Sequence, residues 1–142
     1  DVLGSRGLGD VYKRQVMTGS DALIYRMIFN LTENAIKYNR PDGSVQVCIT
    51  QEPEKLLILV SDTGRGIPEE YQQSIFQPFF RVDKSRSRTF GGAGLGLALV
   101  WEIAALHGGS VRVAESSDSG TTIAAELPRS GNHAAAPKNE TL

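Results

Sequence analysis

Three polar side chains that could bind a charged ligand recur at helical spacing in the segment "GSDALIYRMIFNLTENAIKYN". Asn30, Asn34 and Lys37 stand at i, i+4 and i+7, so a helix places them on one face, with Arg26 one turn earlier on the same side. Asparagine carbonyls are neutral oxygen ligands for a hard cation, and a lysine ammonium can meet a phosphate. A solvated helix face with ordinary surface amides is the alternative that this segment alone leaves open.

A carboxylate at a strand end is the second candidate group, in "VSDTGRGIP". Asp62 closes an apolar run, so it would be a hydrogen-bond acceptor with a fixed direction. Gly64 and Gly66 allow the backbone to bend closely past a ligand. A plain turn capped by Asp62 would need no ligand and is the alternative here.

A glycine-rich stretch, "GGAGLGLAL", is the third candidate. A dinucleotide-binding fingerprint follows a strand, whereas these glycines follow a long charged loop. A Walker-type loop ends in Gly-Lys-Ser/Thr, where this chain has Leu95 and Leu97. The remaining interpretation is a helix N-terminus whose backbone amides favour an anion, with Gly94 and Gly96 in its first turn.

The elements that must position these groups follow from periodicity and turn residues. The first predicted element is a helix over 19–39, capped by Ser20 or Asp21. A hairpin, a short helix ending near Pro78 and a long loop follow it. The chain then forms a helix that ends at Gly108 and Gly109, and a second hairpin. The predicted ranges are 45–50 and 56–62 for the first hairpin, 69–80 for the short helix, 94–107 for the last helix, and 110–116 and 121–128 for the second hairpin. This order predicts a two-layer α/β sandwich, with about three helices on one face of a mixed, mostly antiparallel sheet.

Composition restricts the function classes. The chain has 142 residues, 40% hydrophobic and 22% charged, with a net charge of −1, which is typical of one globular domain and gives no reason to expect nucleic-acid binding. No apolar run approaches the ~20 residues of a membrane span, and no signal peptide is visible. The single cysteine, Cys48, excludes a disulfide framework and is predicted to be a buried apolar side chain, in keeping with a reducing compartment.

The two ends of the chain differ from its centre. Residues 1–15 show no periodicity and are either a non-native cloning or assembly segment or an ordinary flexible N-terminus. Residues 16–128 are predicted to form the domain, and the polar tail 129–142 is predicted to be disordered. Of the two histidines, His107 falls at a helix end, where a capping or dipole role is expected, and His133 falls in the tail.

Four segments together resemble the ATP-binding catalytic domain of sensor histidine kinases. They are "NLTENAIKY", "SDTGRGIP", "IFQPFFRVDKSRSRTFGGAGLGLAL" and "GTTIAAELP", in the family's order and spacing over about residues 16–128. The wider superfamily includes gyrase, the mismatch-repair ATPase and a heat-shock chaperone. The resemblance implies a Bergerat-type ATP-binding fold, whose first strand has no counterpart in this sequence, and a protein-histidine kinase that uses ATP and Mg²⁺.

The resemblance also implies roles for individual residues. Asn34 resembles the family's magnesium ligand, and Asn34 and Lys37 resemble its catalytic residues. Lys37 and Tyr38 resemble the residues that lie beside the phosphates and the edge of the nucleotide. Asp62 resembles the acceptor of the adenine amino group, and Thr121 the hydroxyl that holds adenine through water. The other nucleotide-binding positions implied are Asn30, Gly64, Gly66, Ile67, Phe80, Gly92, Gly94, Leu95, Gly96 and Leu97. Residues 81–93 would form an ATP lid, anchored by the aromatic residues Phe76, Phe79 and Phe80.

The chain departs from the family pattern in three ways. Ala93 stands where threonine is common, and Asp118 stands where a glycine often begins the last turn. The helical dimerisation domain that carries the phospho-accepting histidine has no counterpart. The resemblance implies ATP, that domain and a response regulator receiver domain as partners, a homodimer only through that domain, no nucleic acid, and a cytoplasmic location with a membrane-anchored parent.

Three other functions stay open at this stage. A stand-alone serine kinase of the anti-sigma type shares the fold and the length, although the "FQPFFRVDKSRS" stretch favours the histidine-kinase branch. A degenerate domain could bind nucleotide or dock a regulator without catalysis. An ATPase of the gyrase type uses a glutamate one helical turn before the metal asparagine, where this chain has Asn30, with Glu33 next to Asn34.

Overall fold

The computed structural model describes residues 21–81 and 95–129 of the chain. The elements in chain order are helix α1 (Asp21–Lys37), strands β1 (Val45–Gln51) and β2 (Lys55–Asp62), two 3-10 helices (Glu69–Tyr71 and Ser74–Phe76), helix α2 (Gly96–Leu106), and strands β3 (Ser110–Ser117) and β4 (Gly120–Pro128). The predicted α-helices and hairpins are confirmed, with ends that differ by up to two residues. Residues 1–20, most of the proposed lid (82–93), Gly94 and the tail from residue 130 lie outside the described residues.

The four strands form one sheet in the order β1-β2-β4-β3. Each of its three strand pairs is antiparallel, whereas the sequence suggested a mixed, mostly antiparallel sheet. Helices α1 and α2 pack against each other and against this sheet, so the two-layer α/β sandwich is confirmed. None of the described helices is long and apolar enough to cross a membrane.

The core lies between the helices and one sheet face. Helix α1 contributes its apolar stripe because Met27, Leu31 and Ala35 recur every four residues. The largest side chains with less than 2% exposure are Met27, Leu31, Ile58, Val100, Ile103 and Leu127. Fully burying a side chain of this size contributes about 1.5–3 kcal/mol, so this layer holds the helices on the sheet.

The segment predicted as one short helix forms two 3-10 turns instead. Pro78 disfavours α-helical backbone at the residue before it, and Gln77 is extended (φ −81°, ψ 145°). The interval that remains after Pro68 is too short to nucleate a stable helix. Ile75 and Phe76 are nevertheless buried, so the segment is fastened to the core by side chains rather than by helical hydrogen bonds.

Helix α2 ends as its sequence predicts. Gly108 has a left-handed backbone (φ 74°), and the Gly109 N–H donates to the Ala104 carbonyl at 2.8 Å. The His107 Nδ1 lies 2.8 Å from the Ile103 carbonyl, so the ring caps the last turn. The capping role expected for His107 is thereby confirmed.

Strand β1 lies at one edge of the sheet and is largely exposed. Val45 packs against the core, but Val47 and Ile49 on the same face are 40% and 51% exposed. Cys48 is also exposed, so the prediction of a buried cysteine is wrong. Val47 and Ile49 are exposed because this edge strand is not fully covered by helix α1. Cys48 alternates with them and so lies on the opposite face of the sheet, which the described helices do not cover.

Candidate functional site

In each of the two central strands, β2 and β4, a polar side chain stands at one end of the row of residues that face the core. In β2, Leu56, Ile58 and Val60 point to the core, and the two-residue period places Asp62 next in that row. In β4, Thr121 precedes Ile123 in the same way and is only 5% exposed. The register pairs Asp62 directly with Thr121, so a carboxylate and a hydroxyl meet at the end of the core.

The Asp62 carboxylate is fixed by two backbone donors. Its Oδ1 accepts hydrogen bonds from the N–H of Gly64 at 2.8 Å and from the N–H of Thr121 at 3.2 Å. The Oδ2 atom has no protein partner among the described residues. One oxygen therefore orients the group while the other can accept a hydrogen bond from a ligand.

Ser116 extends this arrangement to a third strand. Its Oγ accepts a hydrogen bond from the Ile67 N–H at 2.7 Å and lies 2.9 Å from the Thr121 Oγ1. We call Asp62, Thr121 and Ser116 the polar row, because they are register partners across β2, β4 and β3. The polar row lies at one end of the sheet, where it is next in line to the core-facing Val60 of β2 and Ile123 of β4.

A β-bulge decides which β3 residue enters the polar row. The register shifts between Val113 and Glu115, so Ser116 pairs with Thr121 and Glu115 pairs with Thr122. Regular alternation from the core-facing Val113 would have placed Glu115 there. The bulge thus puts a neutral hydroxyl beside Asp62 instead of a second carboxylate.

Two glycines allow the loop after β2 to approach its neighbours. A Cβ on the buried Gly64 would lie 2.7 Å from the Tyr38 carbonyl oxygen. Gly66 has φ 85°, and a Cβ there would overlap the Ser117 carbonyl. The loop therefore packs between the C-terminal end of α1 and strand β3, directly beside the polar row.

The polar face of α1 is graded in burial. Asn30 is 9% exposed, Asn34 and Lys37 are half-buried, and Arg26 is exposed. The Asn30 amide has no hydrogen-bond partner among the described residues, which is unusual for a buried polar group. The solvated-face alternative therefore does not describe Asn30, whose amide is available to a ligand.

The N-terminus of α2 faces open space. A groove is lined by Arg26 and Asn30 of α1 together with Leu95 and Gly96. Among the residues that the structure describes, no side chain caps this helix end, and a Cβ added at Gly96 would meet none of their atoms within 4 Å. Exposed backbone N–H groups at a helix N-terminus favour an anion. The groove is also lined by Glu69, Glu70 and Glu102, so the attraction for negative charge comes from the α2 N-terminus and Arg26 rather than from the groove as a whole.

The remaining predicted positions lie around this centre. Tyr38 directly follows α1 and is half-buried, while Ile67, Phe80 and Leu97 pack partly buried against the core. Phe80 lies 5.7 Å from the Tyr71 ring between centroids. Phe76 is buried, but Phe79 is 67% exposed with φ 67°, so two of the three proposed anchoring aromatics point inward. Gly92 and Gly94 lie outside the described residues.

Ser116 is the site residue that sequence reasoning missed. Nothing in "VAESSDSG" distinguishes it from its serine and acidic neighbours. Its role depends on the bulge, which has no strong signature in the sequence. The sequence signal available here is the two-residue alternation along β3, and it predicts that Glu115, not Ser116, faces the core beside Thr121.

Comparisons with known proteins identify the family and the fold. The family model for histidine kinase-, DNA gyrase B- and HSP90-like ATPases matches residues 19–131. Sensor histidine kinase RppB of Synechocystis sp. (strain ATCC 27184 / PCC 6803 / Kazusa) is 37% identical over 128 residues, which is 90% of this chain and 27% of RppB.

Two solved structures share the fold. The mycobacterial sensor histidine kinase MprB superposes with a TM-score of 0.70 at 33% identity, covering 80% of this chain and 76% of that one. Full-length ShkA in complex with AMPPNP gives a TM-score of 0.69 at 27% identity, covering 80% of this chain and 23% of that one. The chain therefore belongs to the histidine kinase-, DNA gyrase B- and HSP90-like ATPase family, and its relatives are the catalytic domains of sensor histidine kinases.

Proposed function

We propose that this chain binds ATP with Mg²⁺ and, within a longer protein, presents the γ-phosphate to a histidine on a helical dimerisation domain. The chain spans 27% of RppB, so the other parts of that reaction belong to segments beyond it. The observation that carries the proposal is the Asp62 carboxylate, with Oδ1 held by two backbone N–H groups while Oδ2 has no hydrogen-bond partner among the described residues. The full-length ShkA structure contains AMPPNP, an ATP analogue, which supports the same ligand here.

The polar row explains a preference for adenine. An ionised carboxylate only accepts hydrogen bonds, and the adenine amino group is a donor. Guanine presents a carbonyl at the corresponding position, which a carboxylate would repel. The Thr121 hydroxyl, buried and 2.9 Å from the Ser116 Oγ, would hold a water that contacts the same base.

The residues on α1 fit a magnesium ion bound together with a triphosphate. The described residues hold no group of three or more His, Cys, Asp or Glu side chains suited to a metal. Asn34 would instead supply a neutral amide oxygen, with the phosphates providing the anionic ligands. Magnesium bound in this way would offset negative charge on the phosphates.

Phosphoryl transfer depends chiefly on positioning and on compensating negative charge. Lys37 supplies a positive charge at the C-terminal end of α1, and the N-terminus of α2 supplies backbone donors. The lid, of which residues 82–93 lie outside the described part, would close over the phosphates and leave the γ-phosphate accessible. A histidine of the dimerisation domain would then attack the γ-phosphorus, the bond to the bridging oxygen would break and ADP would leave. A response regulator would receive the phosphoryl group from that histidine in the cytoplasm.

Rapid ATP hydrolysis is not expected from this site. A gyrase-type ATPase needs a carboxylate at the position of Asn30 to activate water, and an amide cannot accept that proton. Glu33, the nearest carboxylate in sequence, is exposed, away from the buried Asn30. Fast turnover of ATP to ADP by this chain would contradict the kinase proposal.

The test is calorimetric titration of the protein with ATP and GTP in the presence of Mg²⁺. We expect ATP to bind more tightly than GTP, and Asp62→Asn to weaken ATP about tenfold, because the amide presents an N–H where adenine also donates. Asp42→Asn is the matched control, since Asp42 is an exposed aspartate with φ 65°, a conformation that asparagine tolerates. Equal ATP and GTP affinities in both the wild type and Asp62→Asn would refute the assignment.

A second measurement separates ATP binding from self-phosphorylation. We expect no acid-labile phosphate on the isolated chain after incubation with Mg-ATP, because the accepting histidine belongs to another domain. Addition of a histidine-bearing dimerisation domain from the same parent should restore the phosphate signal. Stoichiometric phosphohistidine on the isolated chain would show that an acceptor is present within it.

A further inference from the structure

Hydrogen bonds join the connection between α1 and β1 to the loop that follows β2. The Asn39 Oδ1 accepts hydrogen bonds from the Thr63 Oγ1 at 2.9 Å and from the Arg40 N–H at 2.8 Å. The Asn39 Nδ2 donates to the Ser44 carbonyl at 2.8 Å, and the Ser44 N–H donates to the Thr63 Oγ1 at 2.9 Å. The residue next to Asp62 is therefore held through its side chain.

Arg40 adds a second fastening that reaches a third segment. Its Nε donates to the Thr63 carbonyl at 3.0 Å, and its Nη2 donates to the Asp118 carbonyl in the turn between β3 and β4. These acceptors lie 23 and 78 positions away in the chain. Hydrogen bonds from a charged guanidinium are stronger than neutral ones. We call this pair of bonds the arginine bridge.

The arginine bridge holds the two segments that flank the Asp62 carboxylate. Thr63 directly follows Asp62, and the turn at Asp118 leads into Thr121, whose N–H binds the Asp62 Oδ1 at 3.2 Å. At Gly120, between them, a Cβ would overlap the Asp62 carbonyl oxygen, so the turn lies directly against β2. A change in the separation of loop and turn would rotate the carboxylate.

We propose that Arg40 is a positioning residue for Asp62, and that through Asp62 it sets the preference of this chain for adenine over other bases. The guanidinium acts by fixing the Thr63 and Asp118 carbonyls and makes no contact with the nucleotide itself. Asp118 takes part only through its backbone carbonyl, which the glycine common at this position would also provide. The proposal rests on ATP being the ligand of the polar row.

The test compares the dissociation constants for ATP and GTP in the wild type and Arg40 variants. We expect Arg40→Ala to weaken ATP about fivefold to tenfold with little change for GTP, so that the preference for adenine falls. Arg40→Lys should recover part of the preference, because one ammonium can reach one of the two carbonyls. Arg40→Gln, which keeps a short neutral donor, provides a further variant if Arg40→Ala does not fold.

Arg129→Ala is the matched control. The Arg129 Nη1 also donates to a backbone carbonyl, that of Glu52 at 2.7 Å, but at the opposite end of the sheet, where Lys55 pairs with Pro128. Its loss should lower stability without changing the ratio of ATP to GTP affinity. Equal effects of Arg40→Ala and Arg129→Ala on that ratio would reduce Arg40 to a general structural role and overturn the proposal.

A double-mutant cycle with Asp62→Asn tests whether Arg40 acts through Asp62. If it does, Arg40→Ala combined with Asp62→Asn should bind ATP within about twofold of Asp62→Asn alone. Additive losses would refute the proposal. If the wild type does not bind ATP, the proposed function is contradicted. If the wild type binds ATP and the Arg40 variants keep its ratio of ATP to GTP affinity, only the inference about Arg40 is refuted.

Discussion

Ser116 shows how one hydroxyl can organise a site without charge. It accepts the Ile67 N–H and meets the Thr121 Oγ1, which joins the loop after β2 to the two strands of the second hairpin. The residues of the loop and of β2 could be found in the sequence because an aspartate after an apolar run and two spaced glycines form a local pattern. Ser116 could not, because its partner Ile67 is 49 positions away.

Replacing Ser116 by alanine should therefore affect both stability and binding. The Ile67 N–H would lose its acceptor, which costs about 1–2 kcal/mol of unfolding free energy, and ATP should bind severalfold more weakly. Urea unfolding and calorimetric titration measure the two effects. Ser110→Ala, at the exposed start of β3, is the control and should change neither quantity; wild-type affinity in Ser116→Ala would show that the row does not need its third member.

At the scale of elements, turns set the geometry of the site more than the helices do. The turn between β3 and β4 brings Gly120 against the Asp62 carbonyl with φ 143°, a backbone conformation open only to glycine at low cost. The sequence "SDSG" predicted a hairpin turn there. The contact with β2 could not be predicted, because it depends on β4 lying next to β2 and not on the turn itself.

Gly120→Ala should be among the more damaging single changes in the chain. Its Cβ would overlap the Asp62 carbonyl and its backbone would be strained, so we expect a loss of about 2–4 kcal/mol in unfolding free energy. Gly108→Ala is the control, with φ 74° but only the Pro128 Cγ at 3.6 Å, and should lose about 1 kcal/mol. Urea midpoints would compare the two, and equal losses would show that left-handed strain alone governs Gly120.

At the scale of the whole molecule, a charged group joins three of the four strands at the end of the sheet away from the polar row. Glu126 on β4 meets Arg112 of β3 at 3.1 Å and Lys55 of β2 at 3.3 Å. The hydrogen bond from Arg112, followed by the hydrogen bond and charge of Lys55, holds the pKa of Glu126 below its usual value of 4.5. Its ionised form therefore stabilises the folded state at neutral pH.

The pH dependence of stability follows from the direction of that shift. Because the folded pKa is depressed, the contribution is present above the unfolded pKa of 4.5 and is lost as pH falls through the lower folded value. Glu126→Gln should be less stable than the wild type at pH 7 and should lose less stability on acidification below about pH 4.5. Thermal melts across this range check the slope, with the exposed Glu115→Gln as control. Parallel pH profiles for Glu126→Gln and wild type would contradict the assignment.

Over the whole molecule, local sequence patterns predicted the elements, but not the neighbours of each strand. The hairpins, the α1 polar face and the end of α2 follow from periodicity and glycines. The exposure of Cys48 could also be predicted, since alternation in "VQVCIT" groups Cys48 with Gln46 and Thr50, on the sheet face opposite Val45, Val47 and Ile49. The bulge in β3 depends on packing between distant segments, whereas the 3-10 turns follow from Pro68 and Pro78, which the sequence itself contains.

The pairing of Asp62 with Thr121 has a consequence for how the protein acquires its site. The bond that orients the carboxylate joins residues 59 positions apart, and β4, which supplies it, is the last described strand of the chain. During synthesis, α1 and the first hairpin emerge without a complete base pocket, because long-range pairing must wait for its second partner. Base binding at the polar row, as proposed above, therefore requires β4 to have paired with β2, so it would report the docking of the last described strand.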